Sequence, residues 1–467
     1  MKQALGLGIV MLLMLSPASN ATAARPPFFL QNGDRVCFYG YSITAQRYYT
    51  TDVETYVLTR FPKLKIRFIN SGVGGDRVTG GWAGPIDLRL KRDVFPFKPN
   101  VVVYLLGMND AAYQPFNRKI FNIYRRGLKH IIHSLRAHLH HVRIVLIGST
   151  PWDEFTQPPE FMHDRAVKGS FNDVLIRYGQ YTQKLAARDH LFFTDFNAPL
   201  VAVLQQAEKV NPALARRIIP GRIHPVAAGH VVMAQTLLRA WHAPSLVTSV
   251  TINASKPAVT SAKNTTVSAL AQSYGVLSWT QLDGSLPMPV MSLHSRWPQF
   301  APAALWPAPR PQMAYTNPLT ALVIKLSGFY HALDREPLRV THLTAPKYEL
   351  RIDGNIIGTF TSGQLADGIN LARLLATPMM AQAYRVLALA WQRTQTRFTA
   401  WRQVQLPMAN FHLRSKFLVN TNSSPAAAKA VNNILHAFSG LEHVVMKAES
   451  QAAQPLPHHY QLVPIGG

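Results

Sequence analysis

Between Arg35 and Trp241 the chain alternates short β-rich runs with helical patterns, and no other feature limits its folds as much. The runs Arg35-Val-Cys-Phe-Tyr39, Lys65-Ile-Arg-Phe-Ile69, Val101-Val-Val-Tyr-Leu-Leu106, Arg143-Ile-Val-Leu-Ile147 and Leu191-Phe-Phe-Thr194 read as buried strands. The clearest helix between them spans roughly Lys119 to His141. There Ile123, Leu128, Ile131, Ile132, Leu135 and Leu139 keep a period near that of the α-helix. Strands separated by helices pair in parallel, and a parallel sheet needs cover on both faces. The expectation is an open α/β sheet, with ligands beyond the C-terminal ends of its strands.

A chain of 467 residues is long for one domain, and 48% hydrophobic against 15% charged residues supplies a core and excludes disorder over most of its length. Residues 1–24 read as a secretory signal, with Lys2, an apolar run from Ala4 to Leu15, and small residues at Ala21-Thr-Ala23. That run is short for a membrane span, so no transmembrane segment is expected in the mature chain. The α/β pattern covers 25–245, and the texture changes after Ala243. Residues 246–467 read as a β-rich accessory region with a Pro-rich crossing at 302–312 and long C-terminal helices. Within it, Asp353-Gly354 between alternating apolar positions predicts a hairpin. Thr377-Pro378 predicts a helix start, followed by a stripe of Tyr384, Leu387, Trp391, Phe398 and Trp401 expected to pack on the first domain.

Export permits disulfides, yet Cys37 is the only cysteine and lies in an apolar run, so it reads as an inert core residue. The balance of 48 Lys+Arg against 23 Asp+Glu gives +25. Such a field attracts anions, but the basic residues are scattered and match no nucleic-acid motif. Anionic envelope polymers fit an exported protein better, adaptation to the organism's habitat accounts for the charge equally well, and no nucleic-acid partner is expected. His130, His133, His138, His140 and His141 crowd one helix and its end. They lack a nearby acidic partner in sequence and a His-Glu-x-x-His arrangement, so no metal is expected there, nor any cofactor.

Four segments that follow strands carry the chemistry. In Phe38-Tyr-Gly-Tyr-Ser-Ile-Thr44 a strand ends, Gly40 permits a sharp turn, and Ser42 opens a helix with its hydroxyl at the sheet edge. Asn70-Ser-Gly-Val-Gly-Gly-Asp76 allows close backbone approach and leaves N–H groups free for a ligand. Leu106-Gly-Met-Asn-Asp110 offers the Asn109 side-chain amide to an oxyanion. Ile223-His-Pro-Val-Ala-Ala-Gly-His230 opens the last helix with His224, a ring suited to proton transfer near neutral pH.

In order, spacing and placement these segments resemble blocks I, II, III and V of the SGNH/GDSL-like hydrolases, across residues 35–241. The resemblance implies a three-layer α/β/α fold with a parallel, flavodoxin-like sheet, and ester hydrolysis through an acyl-enzyme. It implies Ser42 as nucleophile, His224 as base and then acid, and an oxyanion hole from the N–H groups of Ser42 and Gly75 with the Asn109 side chain. Tyr348 to Leu371 also looks like the tail of a bacterial subgroup. Two positions depart from the pattern. Tyr41 replaces the usual Asp before the serine, and Gly221 stands where the acid partner of the histidine normally sits. Asp195, at the end of the fifth strand, is a substitute acid to test, or else a loop cap.

Two functions follow. One is an exported, periplasmic or secreted, serine esterase acting on an acyl ester, an acetylated glycan or a lipid. The other is a catalytically weak relative that binds anionic envelope glycans or lipids.

Overall fold

A computed structural model describes residues 26–157, 170–291, 317–405 and 425–466. The expected signal at 1–24 and the Pro-rich crossing at 302–312 lie outside these residues.

Five parallel strands form the central sheet: β1 (Arg35–Gly40), β2 (Arg67–Asn70), β3 (Val101–Leu105), β4 (Arg143–Gly148) and β5 (Phe192–Asp195). Their spatial order is β2-β1-β3-β4-β5. This is the flavodoxin-like order, which reverses direction between β1 and β3 and opens a crevice there. β3 is buried along its whole length, as a central parallel strand covered on both faces must be. Each fully buried Val or Leu of that strand contributes roughly 1.5–3 kcal/mol.

The flanking helices include α1 (Ser42–Ala45), α2 (Tyr48–Arg60), α3 (Arg118–His138), α4 (Phe171–Arg188) and α5 (Ala227–Ala240). Asn117 caps α3, its side chain accepting from the N–H groups of Lys119 and Ile120. Ile123, placed on the buried stripe by its spacing, is 43% exposed. Tyr124 takes its place, because 124, 128, 131 and 135 continue one helical face. Cys37 is buried, and burial pushes its thiol up to about 11, so it is inert at neutral pH.

The region after 245 forms two facing sheets. One orders Thr265–Ser273, Val276–Asp283, Pro457–Ile465, Lys347–Ile352 and Asn355–Thr361 in antiparallel pairs. The other orders Ile369–Asn370, Pro337–Thr341, Ser249–Asn253 and Ala258–Lys263. Trp279, Leu350 and Leu462 of the first meet Val250, Ile252 and Val340 of the second in one core. Asp353 and Gly354 turn the expected hairpin with φ of 50° and 78°, the positive angles of a type I′ turn.

Two long helices complete the region, α6 (Pro378–Thr399) and α7 (Pro425–Ala452). Thr377 caps α6 by accepting from Met380 N–H, with Pro378 in the first turn. Tyr384, Leu387 and Trp391 of α6 pack on Tyr48 and Ala227 of the first domain, Trp391 stacking on Tyr48 at 5.6 Å. Buried ion pairs cross the same boundary. Arg393 of α6 joins Glu54 of α2 and, at 3.1 Å, Glu449 of α7, while Arg60 of α2 reaches Asp334 at 3.3 Å. Among the described residues no helix is long and apolar enough to cross a membrane.

Candidate active site

Close backbone approach brings the first two loops together. A Cβ on Gly40 would lie 2.3 Å from Thr44 Oγ1 and 2.7 Å from the Leu105 carbonyl. Gly40 is therefore required by crowding between β1, β3 and α1, not by a left-handed turn. Gly72 is held directly against backbone, since a Cβ there would lie 2.5 Å from the Ala45 backbone nitrogen. Asn70 locks this arrangement. Its Nδ2 donates to the Thr44 carbonyl at 2.8 Å, and its Oδ1 accepts from Gly72 N–H at 3.0 Å. Gly75 has φ 78°, a conformation that favours glycine.

At this junction His224 Nε2 lies 2.7 Å from Ser42 Oγ. The two residues are 182 positions apart and come from opposite ends of the α/β domain. Asn109, at the end of β3, completes the cluster. Its Nδ2 donates one hydrogen bond to the Asp76 carbonyl at 3.0 Å, and its Oδ1 accepts from the Tyr113 hydroxyl at 2.8 Å. An amide nitrogen carries two protons, so one remains for a ligand. Ser42, Gly75, Asn109 and His224 all line one cavity of about 320 Å³. It lies over the β1/β3 crevice, where the strand order predicts a ligand.

A buried relay supports the His224 loop. Tyr49 N–H donates to His230 Nδ1 at 3.3 Å, His230 Nε2 meets Gln46 Oε1 at 3.1 Å, and Gln46 Nε2 donates to the Pro225 carbonyl at 3.2 Å. Burial pulls the His230 ring down to about 3, so it stays neutral and its two nitrogens keep fixed roles. Neither Gln46 nor His230 stood out in the sequence as a supporting residue; the spacing to His224 was the one available signal.

Tyr41, in place of the usual Asp, is fully buried, and its hydroxyl shares a 2.9 Å hydrogen bond with Thr150 after β4. Asp76 ties the glycine loop down: its Oδ2 accepts from Tyr39 Oη and Arg89 Nε, each at 3.0 Å. Arg89 also contacts Asp93, which accepts from Trp401 Nε1 at 3.0 Å, so this buried group links the loop to the C-terminal region.

Asp195 is not joined to His224. Its two oxygens accept from Asn197 N–H at 3.1 Å and Ala198 N–H at 2.9 Å, holding the start of the helix Asn197–Val210. Gly221 has φ 71° and Arg222 φ 70°, two successive left-handed residues before the histidine. Of the clustered histidines, His130 does find an acidic partner, Asp87 at 2.6 Å, contributed by a distant segment and exposed to solvent. Among the described residues no group of three His, Cys, Asp or Glu side chains is arranged to hold a metal ion.

Of the remaining cavity wall, Trp82, Tyr113 and Arg402 were not legible in the sequence, and Phe398 and Trp401 stood there only as part of the apolar stripe expected to pack. Trp82 and Tyr113 come from loops of the first domain, while Phe398, Trp401 and Arg402 come from the end of α6 and the π-helical turn Ala400–Gln405 after it. The apolar stripe of α6 thus divides. Tyr384 to Trp391 pack on the first domain, and Phe398 and Trp401 face the cavity.

Residues 38–232 match the GDSL-like Lipase/Acylhydrolase family. The chain is 26% identical over 186 residues to an acetylxylan esterase of Geobacillus stearothermophilus, spanning 38% of this chain and 74% of that one. It is also similar to the solved structure of a gut microbial diltiazem-metabolizing enzyme. The TM-score there is 0.75 at 27% identity, over 93% of this chain and 98% of the other. That likeness extends through the C-terminal region as well as the α/β domain.

Proposed function

We propose that this SGNH/GDSL-like hydrolase cleaves carboxylic esters through an acyl-enzyme on Ser42. The observation that carries the proposal is the 2.7 Å contact of Ser42 Oγ with His224 Nε2, in a cavity that also presents Asn109. His224 Nε2 takes the proton as Ser42 Oγ attacks the ester carbonyl carbon. The carbonyl oxygen becomes an oxyanion held by the N–H groups of Ser42 and Gly75 and by the free proton of Asn109 Nδ2. His224 then returns the proton to the departing alcohol, and water repeats the sequence to release the acid.

An acetyl ester on a glycan is the substrate class we favour. The acetylxylan esterase relative supports the acetyl group, and the aromatic wall of Trp82, Trp401 and Phe398 supports a ring on the alcohol side. The apolar run Ala4–Leu15 supports action outside the cytoplasm, in the periplasm or beyond.

The test is labelling with a fluorophosphonate, followed by intact mass and peptide mapping. A single adduct on Ser42, absent from Ser42→Ala, is expected, together with release of acetate from acetylated xylo-oligosaccharides or diltiazem. Unlabelled Ser42 in folded protein would favour the second reading instead, a weak catalyst that binds anionic envelope glycans or lipids. Gly221 in the acid position is the observation behind that reading.

A further inference from the structure

Among the described residues the cavity beside Ser42 is lined by one permanently charged side chain, Arg402, and by no acidic one. Its guanidinium lies over the Trp82 ring, 4.0 Å from the centroid. Arg60, Arg89 and Arg393 are buried too, and each is matched by at least one carboxylate, while Arg47, buried without one, donates to the Ala45 carbonyl at 2.8 Å and to Gln395 Oε1 at 3.2 Å. Arg402 has no such match among the described residues, and burial alone pulls its guanidinium below the ordinary value. A partly desolvated cation without a counter-charge costs free energy, so a fold that keeps one at a cavity wall holds it ready for an anion.

Arg402 is mounted on the glycine loop through Trp82. Trp82 Nε1 donates to the Gly74 carbonyl at 2.7 Å, which anchors the indole to the glycine loop. A Cβ on Gly75 would lie 3.9 Å from Trp82 Cδ1, and one on Gly74 would lie 3.9 Å from Ser42 Cβ. Arg402, Trp82, the glycines and Ser42 therefore form one continuous wall. The preceding residue, Trp401, is fixed through its hydrogen bond to Asp93. Among the described residues none accepts a hydrogen bond from the Arg402 guanidinium, whose N–H groups can pair with both oxygens of a carboxylate.

We propose that Arg402 is the anion-binding residue of this cavity, and that the esters this enzyme prefers carry a carboxylate on the part that reaches Trp82. The proposal rests on the esterase reading of Ser42 and narrows its substrate class. The Trp82 wall puts that charge on the alcohol side, and two matched pairs test the alcohol and the acyl side separately. The first is 4-acetoxybenzoate against its methyl ester. The second is 4-nitrophenyl hemisuccinate against 4-nitrophenyl methyl succinate.

In the first pair, kcat/KM for the anionic member is expected to exceed that of the neutral one by about 10- to 100-fold, the worth of a charge-assisted hydrogen bond. Arg402→Gln is expected to collapse that ratio toward unity, Arg402→Lys to keep part of it, and 0.5 M NaCl to shrink it in the parent protein. The salt arm decides the matter even if Arg402→Gln misfolds. No preference in the first pair, or a preference that survives Arg402→Gln in folded protein, would overturn the proposal. If the protein hydrolyses none of the four esters, the esterase reading fails separately. Quenching of tryptophan fluorescence by 4-hydroxybenzoate and by its methyl ester then decides Arg402. Tighter binding of the acid that is lost in Arg402→Gln supports it, and equal binding overturns it.

Discussion

The Tyr113 hydroxyl donates a 2.8 Å hydrogen bond to Asn109 Oδ1, and that bond fixes which way the amide faces. With Oδ1 held by Tyr113 and one Nδ2 proton on the Asp76 carbonyl, the second proton has a defined direction. Tyr113 itself is held at a φ of 52°, against the rings of Phe171 and Trp152. It is a positioning residue. Tyr113→Phe is expected to lower kcat by roughly 10-fold, short of the roughly 10²–10³ expected for Asn109→Ala, because the amide remains but wanders. Kinetics on 4-nitrophenyl acetate would show this, and an effect confined to KM would argue that Tyr113 merely shapes the wall.

Two glycines in the same loop are expected to respond oppositely to one methyl group. A Cβ on Gly72 meets the Ala45 backbone at 2.5 Å, which can yield only if the loop leaves α1. Gly72→Ala is therefore expected to cost several kcal/mol, on the order of the larger overpacking penalties, and to reduce soluble yield. A Cβ on Gly74 has ordinary contact with Ser42 at 3.9 Å. Gly74→Ala is expected to melt near the parent temperature yet raise KM, because the methyl narrows the cavity beside Ser42. Paired melting curves and KM values would check both.

Asp195 is expected to matter for stability and not for turnover. Its carboxylate accepts two backbone N–H groups at the start of a helix, a role worth about 1 kcal/mol in typical caps. Asp195→Ala is expected to lower the melting temperature while kcat stays within about threefold of the parent, a change of less than 1 kcal/mol in barrier. A loss approaching the roughly 10⁴-fold seen when a triad acid is removed would restore Asp195 as the partner of His224.

These cases mark what was legible in the sequence. Val101–Leu105 declares itself because a central parallel strand is apolar at every position, and Thr377-Pro378 because a cap followed by proline has a local physical reason. Ser42, Gly75 and Asn109 each follow a strand end and His224 opens the last helix of the α/β region, and their order along the chain singled them out before the cavity brought them together. Trp82, Tyr113 and Arg402 carry no such local signal. They meet only because α6 crosses the first domain and returns to its cavity, and that crossing depends on packing between residues more than 300 positions apart, such as Tyr48 on Trp391. Arg47 shows the same limit. It reads as one basic residue among 48 Lys+Arg, yet it lies buried beneath Phe398, 3.7 Å from the ring centroid.

The boundary between the α/β domain and α6 turns on Arg393. Its guanidinium is buried between Glu54 of α2 and Glu449 of α7, and it also donates to the Phe68 carbonyl at 3.0 Å. Arg393→Met keeps much of the side-chain volume but leaves two buried carboxylates without their cation, a loss of about 3–5 kcal/mol. The sign of the pH dependence follows from the carboxylates. Burial raises both groups, while Arg393 pulls both back toward ionisation. A carboxyl raised in the folded state stabilises below its unfolded value, and that contribution is lost as pH rises through the folded value. Removing Arg393 takes away the opposing pull, so both carboxyls titrate higher and the loss deepens. The deficit of Arg393→Met is therefore expected to be smallest near pH 4, where both carboxyls are protonated, and to grow as pH rises through the parent's folded values, about 8 for Glu449, toward pH 9. Urea melts of parent and variant across that range would check it. A deficit independent of pH would mean that Arg393 acts through packing and the Phe68 carbonyl, with its two carboxylates contributing nothing net.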